Sequence, residues 1–408
     1  MRNPFLRDKV AAATLRPESE LLLACAGVCV GSCPPERPRT LLAEGIDWEL
    51  LVQAGLRHRI LPLLYRGLET TCPEAVPRAT LDRLRQRVHA TALRNLFLTG
   101  QLLKLLRLFA RHDIRAIPFK GPALAAAAYG DVSLREFNDL DIFLREDDIP
   151  RAKQLLRAER YEEQPQFEAE YECAFLSADG GYHVDLHWGF IPPYIAFPLG
   201  PLRLWEQAGS VVLAGTPVAA FRPEALLLIL CLHGAKHCWQ RLKWICDIAG
   251  LIRLHPAMDW DQILAWAARM GRTRVLSLGL LLAGDLLGTS LPDPVLRRAK
   301  PDPAVKYLAA EVRKWLFPEV GGGDHSGNPT GLQCELFLLT ASERLRDRVR
   351  HAAHLARIPS YRRAWQRIPL TASLSVVYSL LRPVWRVGKA GLRLLRPRSS
   401  THVGGAGG

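Results

Sequence analysis

The chain has 408 residues, enough for two or three domains with a substantial core, and 49% hydrophobic content at a mean hydropathy near zero describes an ordinary globular composition. No run reaches the roughly 18 apolar residues of a spanning helix, which argues against a transmembrane architecture. The formal charge of +14 sits almost wholly in one segment: residues 341–400 hold 14 Arg and Lys against Glu343 and Asp347, so any argument about acidic partners is confined to that tail.

The first hundred residues carry helical spacing. Trp48 to Val52 continues into Leu61-Pro62-Leu63-Leu64, and Leu81–Ala110 repeats Leu, Val and Phe at helical intervals, with Pro34-Pro35 and Pro38 expected to mark a loop. Cys25, Cys29 and Cys33 would stack on one helix face, either as a soft-metal or redox site or as small hydrophobes of a core. Nine cysteines without a CxxC motif point to a reducing compartment, and Glu18 and Glu20 ahead of Leu22-Leu23-Ala24-Cys25 argue against an export signal. The expected location is cytoplasmic, with peripheral membrane attachment as the alternative.

Ile114–Phe119 switches to a short strand pattern, Gly121-Pro122 ends it, and Ala123–Tyr129 reads as a helix with proline in its first turn. Gly130-Asp131 breaks that helix before a strand at Phe137–Leu144. Asp147-Asp148 is expected to cap a helix running to Arg157, and strands at Glu170–Leu176 and Tyr182–Trp188 flank an Asp179-Gly180-Gly181 turn. From Pro223 the period is helical again, over Glu224–Cys238, Leu242–Leu254, Trp260–Met270 and Arg274–Leu287. Gly321-Gly322-Gly323 reads as a break and Gly404–Gly408 as a disordered end. The expected fold is α+β, a small mixed sheet between helical regions. Its expected divisions are 1–110 (helical), 111–220 (catalytic core), 221–320 (helical) and 321–408 (basic tail).

Strand alternation puts Asp139 and Asp141 on one face and Leu140, Ile142 and Leu144 on the other. In the later strand it sends Val184 and Leu186 to the core and Asp185 with His187 outward. If the two strands are neighbours, three carboxylates converge where their repulsion is costly without a cation. Oxygen ligands favour a hard ion such as magnesium. An EF-hand is ruled out, since neither the turn glycine nor the distal glutamate is present.

Phe119-Lys120-Gly121, Arg135 through Ile142, Val184-Asp185-Leu186-His187-Trp188, His233-Gly234-Ala235-Lys236-His237, Leu242 and Asp247-Ile248-Ala249 together resemble the polymerase-beta-like nucleotidyltransferase superfamily. More closely they resemble its branch of uncharacterised nucleotidyltransferases, over roughly residues 40 to 290. The resemblance implies that Asp139 and Asp141 bridge two divalent ions, Mg2+ or Mn2+, with Asp185 holding the ion beside the attacking hydroxyl. It also implies that Lys120 and Gly121 cradle the β- and γ-phosphates of a nucleoside triphosphate. A nucleoside monophosphate would pass to a hydroxyl or phosphate acceptor, whether small molecule, saccharide, peptide or protein, with release of pyrophosphate. The turn departs from the superfamily's Gly-Gly-Ser or Gly-Ser, because Pro122 replaces a hydroxyl and a backbone donor.

Arg135 is a second candidate phosphate contact, or else an exposed partner of Glu136 or Asp139. Lys236 and His237 are candidates for the triphosphate or acceptor, with simple packing as the plain alternative. His233 and His237 sit four apart like a zinc-protease pair, but no glutamate base lies between them, which leaves only a structural zinc with Cys231 or Cys238. Trp239, Trp244, Trp260 and Trp266 are read as core before stacking platforms.

In the tail, arginine mixes with bulky apolar residues at Val384-Trp385-Arg386-Val387 and Leu392-Arg393-Leu394-Leu395-Arg396. That composition suits an anionic membrane surface, a nucleic-acid backbone or a solvated face. The leading reading is a metal-dependent nucleotidyltransferase. The alternative is a non-catalytic nucleotide-binding module docked to a membrane or partner through the tail.

Overall fold

A computed structural model describes residues 15–42, 45–195, 203–292, 295, 302–318 and 328–357. The chain forms two compact units, Met1–Arg344 and Leu345–Gly408. The first opens with α1 (Pro17–Cys29), α2 (Glu36–Leu41), α3 (Trp48–His58), α4 (Leu61–Thr71) and the long α5 (Arg78–Arg111). Pro38 lies inside α2 rather than in a loop, because a first-turn residue has no intrahelical use for the amide that proline lacks. Gly31, at φ +66°, turns the chain after α1 and puts Cys33 beyond the helix, so the cysteine stripe stops at Cys25 and Cys29.

A five-stranded mixed sheet follows, built from β1 (Ile117–Pro118), β2 (Asp139–Phe143), β3 (Glu162–Glu163), β4 (Glu172–Leu176) and β5 (His183–His187) in the order β1-β2-β5-β4-β3. β2 and β5 are parallel and the other pairs antiparallel. α6 (Gly121–Tyr129) joins β1 to β2, and α7 (Ile149–Ala158) lies between β2 and β3. The start of α7 corrects the capping expectation: Asp148 is αR with no side-chain cap bond, and Pro150 in the first turn sets the helix instead.

One face of the central β2–β5 pair is apolar. Leu140, Ile142, Leu144, Val184 and Leu186 are fully buried, in one cluster with Leu98, Leu102 and Phe109 of α5 and Ala152 and Leu156 of α7. Each buried Leu, Ile or Val contributes roughly 1.5–3 kcal/mol, so this face fixes which residues the other face presents.

After the sheet comes a hairpin without a sequence signal, β6 (Ala208–Leu213) and β7 (Thr216–Phe221). Its two-residue turn is Ala214-Gly215, both at positive φ, where Asn-Gly or Asp-Gly would have announced it. Then come α8 (Pro223–Lys236), α9 (Leu242–Leu254), α10 (Trp260–Met270), α11 (Thr273–Leu287), α12 (Pro303–Leu316) and α13 (Gly331–Ala341). α9 lies directly on α6, because Gly250 carries no Cβ; one built there would stand 2.4 Å from the Ala128 carbonyl oxygen. This crossing brings the start of α9 and the end of α8 beside the polar sheet face.

In the second unit the described part is α14 (Leu345–Arg357), which carries Arg346, Arg348 and Arg350. The expectations for Gly321–Gly323, the two arginine-rich apolar segments and Gly404–Gly408 fall outside the described residues. Among those described, no helix is long and apolar enough to cross a membrane.

Candidate active site

The parallel pairing of β2 with β5 sets Asp141 directly beside Asp185 in register, with Asp139 opposite His183. Asp141 is buried, Asp185 half-buried and Asp139 exposed at the strand start. The compact acidic group differs from the expected aspartate trio. Ligand atoms of Asp141, Asp185 and His187 lie within 4.8 Å of one another, while Asp139 stands outside that group and acts on Asp185, Lys120 and Lys243 through its charge. Two carboxylates and an imidazole at this spacing could hold a metal ion.

Burial and the neighbouring Asp141 push the Asp185 carboxyl up to about 7, against the pull of His187 and Lys120. Asp141 goes the other way. Burial opposes its ionisation, but the Lys120 ammonium and His187 outweigh burial and hold it far below the usual carboxylate range. The surroundings thus drive two adjacent carboxyls in opposite directions.

Lys120 Nζ lies 2.7 Å from Asp141 Oδ1 and 5.0 Å from the centre of the Phe119 ring. The lysine expected to cradle phosphates is thus bound to a carboxylate in this structure, and only its partial exposure leaves it open to the site. Gly121 follows at φ +53°, and a Cβ there would stand 3.2 Å from the Asp139 carbonyl oxygen. Both facts demand glycine, because the turn must pass close against the strand that carries the aspartates.

His187, at the end of β5, is buried with Nε2 at 3.0 Å from Asp141 Oδ1 and Nδ1 at 3.2 Å from Glu172 Oε2. The second contact is an ion pair whose N–H is not aligned as a hydrogen bond, so Nδ1 has no hydrogen-bond partner. Burial disfavours the imidazolium, but the two carboxylates outweigh it and raise the His187 pKa. Glu172 also meets Lys236 Nζ at 3.7 Å, and that ammonium lies 4.8 Å from the centre of the Tyr171 ring. Burial would raise the Glu172 carboxyl, yet His187 and Lys236 bring it down to about 2.

Arg135 corrects its expectation. It is 5% exposed and makes a bidentate pair with Asp247 of α9, Nε to Oδ1 at 2.8 Å and Nη2 to Oδ2 at 3.1 Å, and Tyr129 donates to the same carboxylate at 2.9 Å. Its Nε and Nη2 are thus engaged inside the protein, where they tie the approach to β2 to α9.

His237 stacks on Trp244 with ring centres 5.3 Å apart, and His233 stands edge-on to both. Burial, reinforced by Lys236 and Lys120, pushes His237 down to about 3. These histidines belong to no metal-ligating group among the described residues, and Cys231 and Cys238 are fully buried. Trp239 and Trp266 are core, as read, whereas Trp244 is half-buried on the site side.

Three participants were not singled out from sequence: Glu172, Lys243 and His187 as a carboxylate partner. Glu172 had one signal, a lone carboxylate opening the apolar strand Glu172–Leu176. Lys243 had another, since it and Arg241 open α9 with no acidic residue in the first turn, against the helix dipole. Burial, then Arg135, pushes the Lys243 ammonium down to about 7, opposed by Asp247 and Asp139.

The family described as uncharacterised nucleotidyltransferase matches residues 44–288. Among solved structures, the antibiotic-resistance factor ANT(2'')-Ia aligns at 15% identity over 42% of this chain and 90% of its own, with a TM-score of 0.32. An antigenic nucleotidyltransferase-like protein from Paracoccidioides brasiliensis aligns at 18% identity over 49% of this chain and 96% of its own, also at 0.32. No curated protein matches the chain. The family match spans more than half of the sequence and contains β2, β5 and the ends of α8 and α9 that meet at the carboxylates, so the chain belongs to the uncharacterised nucleotidyltransferase family.

Proposed function

We propose that this protein transfers a nucleoside monophosphate from a nucleoside triphosphate to a hydroxyl or phosphate acceptor, releasing pyrophosphate. The observation that carries the proposal is the in-register juxtaposition of Asp141 and Asp185 on a parallel strand pair, with Asp139 two residues upstream on the same strand. In this reading Asp139, Asp141 and Asp185 hold divalent cations, Mg2+ or Mn2+, and His187 joins them as a nitrogen ligand. Bound cations would supply charge neutralisation at the α-phosphate and a lowered pKa for the attacking hydroxyl.

The chain's own residues do the rest. Lys120, at the Gly121 turn, and Lys236 with His237 from the end of α8 bind the triphosphate, and Lys120 exchanges its Asp141 partner for phosphate oxygens. The Trp244 ring, stacked on His237, offers an apolar face that excludes water. We assign the chemistry to residues 111–220 and triphosphate binding to the helical residues 221–320 beside them. The basic segment 341–400 is proposed to dock on an anionic membrane surface or nucleic acid, an attachment that rising salt should release.

The test is pyrophosphate release with a triphosphate and divalent cation, using an acceptor pool and adduct identification by mass spectrometry. Asp139→Ala and Asp185→Ala proteins that still fold should release none. A second reading, a non-catalytic nucleotide-binding module, is favoured by one observation: the Lys120 ammonium already neutralises Asp141 at 2.7 Å. It requires nucleotide binding that ignores divalent cations, with no pyrophosphate from any acceptor pool.

A further inference from the structure

His187 is buried at the end of β5, edge-on to the Phe119 ring with centres 5.1 Å apart. A carboxylate can only accept, so Nε2, 3.0 Å from Asp141 Oδ1, must be the donor of that bond. Nδ1 also faces a carboxylate, Glu172 Oε2 at 3.2 Å, and as a buried polar atom without an aligned partner it has this one acceptor within reach. A carboxylate thus faces each ring nitrogen, and Glu172 on the Nδ1 side fixes the imidazole in the orientation that points Nε2 at Asp141.

Glu172 is well held for this task. It lies directly opposite His187 in the β4–β5 register, so backbone pairing sets the distance between the two side chains. Its other oxygen stands 3.7 Å from Lys236 Nζ, which restrains rotation of the carboxylate. Asp141 in turn is bound by Lys120, so the polar face reads as an unbroken series Lys120, Asp141, His187, Glu172, Lys236.

We propose that Glu172 is a positioning residue: through Nδ1 of His187 it keeps Nε2 turned toward Asp141 and so sets the affinity of the Asp141, Asp185, His187 group for a divalent cation. This rests on the reading of that group given under Proposed function. A cation held by the group would meet Nε2 of a ring whose other nitrogen faces Glu172.

The probe is Mn2+ alone, titrated into the full chain without nucleotide and followed by the loss of the free Mn2+ electron paramagnetic resonance signal. Thermal melts in chelator run alongside. Glu172→Ala should weaken Mn2+ binding about tenfold or more. Glu172→Gln, which keeps an oxygen facing Nδ1 but lacks the charge, should fall between it and the native protein. A purely structural Glu172 would move the melting temperature and leave the Mn2+ affinity of the folded protein alone. Affinities within twofold of the native protein in both variants overturn the inference, and if Glu172→Ala does not fold, native affinity in Glu172→Gln suffices to do so. Native protein whose Mn2+ binding is absent, or unchanged by Asp141→Ala, overturns the metal-site reading itself and the inference with it.

Discussion

Lys120 Nζ stands 2.7 Å from Asp141 Oδ1, the same oxygen that His187 Nε2 approaches at 3.0 Å. One buried carboxylate oxygen therefore serves two cationic partners from different elements, the turn before α6 and the end of β5. Removing either partner leaves a charge without adequate compensation in a poorly solvated place.

Lys120→Met should accordingly destabilise the metal-free protein by about 3 kcal/mol at pH 7 in urea titrations. Adding Asp141→Asn should recover much of that loss, since the double variant no longer buries a lone charge. Simple additivity of the two changes would show that the pair is not coupled.

Asp185 predicts a pH dependence of known sign. Its folded-state carboxyl rises from the ordinary 3.8 to about 7, so the folded protein binds this proton more tightly than the unfolded chain. Its contribution is then fully present below about pH 4 and is lost as pH rises toward 7. Asp185→Asn should be more stable than the native protein at pH 8 in chelator, by about 2 to 4 kcal/mol, and no more stable at pH 4. Urea midpoints across that range decide it; a gain independent of pH would not fit.

The Arg135–Asp247 pair predicts a structural phenotype rather than a binding one. Arg135→Met or Asp247→Leu alone should cost about 3–5 kcal/mol by stranding a buried charge. The two together should cost clearly less than their sum, as equilibrium unfolding would report. A folded Arg135→Met protein of native stability with weakened nucleotide binding would instead restore the phosphate-contact role.

Gly121→Ala should cost about 1–2 kcal/mol from the positive φ and the 3.2 Å approach to the Asp139 carbonyl. Because relief of that contact pushes on β2 beside its aspartates, pyrophosphate release should fall by at least tenfold while the fold survives.

Lys243 near 7 and His237 near 3 are both depressed by burial and neighbouring positive charge. A polyanion reverses the second cause and raises both values. Tripolyphosphate binding at pH 7.5 should therefore take up protons, visible as a calorimetric heat that varies with the buffer's ionisation enthalpy. Lys243→Gln should remove most of that uptake at this pH.

Much of the site was legible because strand alternation and helix punctuation are local. The burial of Leu140 and Ile142 against the polarity of Asp139 and Asp141 follows from period-two alternation, and α9 and α10 begin and end where their apolar spacing does. The β6–β7 hairpin escaped notice because Ala214-Gly215 is a weak turn signal and Pro217 argues against a strand. Arg135 was misread for a related reason, since its partner is 112 residues away and sequence gives no hint of that distance.

By itself the sequence determined the helix–sheet–helix order, the acidic face and the family, because each depends on residue type at short spacing. Only the tertiary structure decided the pairing within that face. It set β2 parallel to β5, put His187 rather than Asp139 into the compact group, drew Glu172 behind His187, and turned Lys120 onto Asp141 and Arg135 onto Asp247. The physical reason is that buried charges must find partners, and which partner lies within about 3 Å is settled by strand register and helix crossing rather than by proximity along the chain.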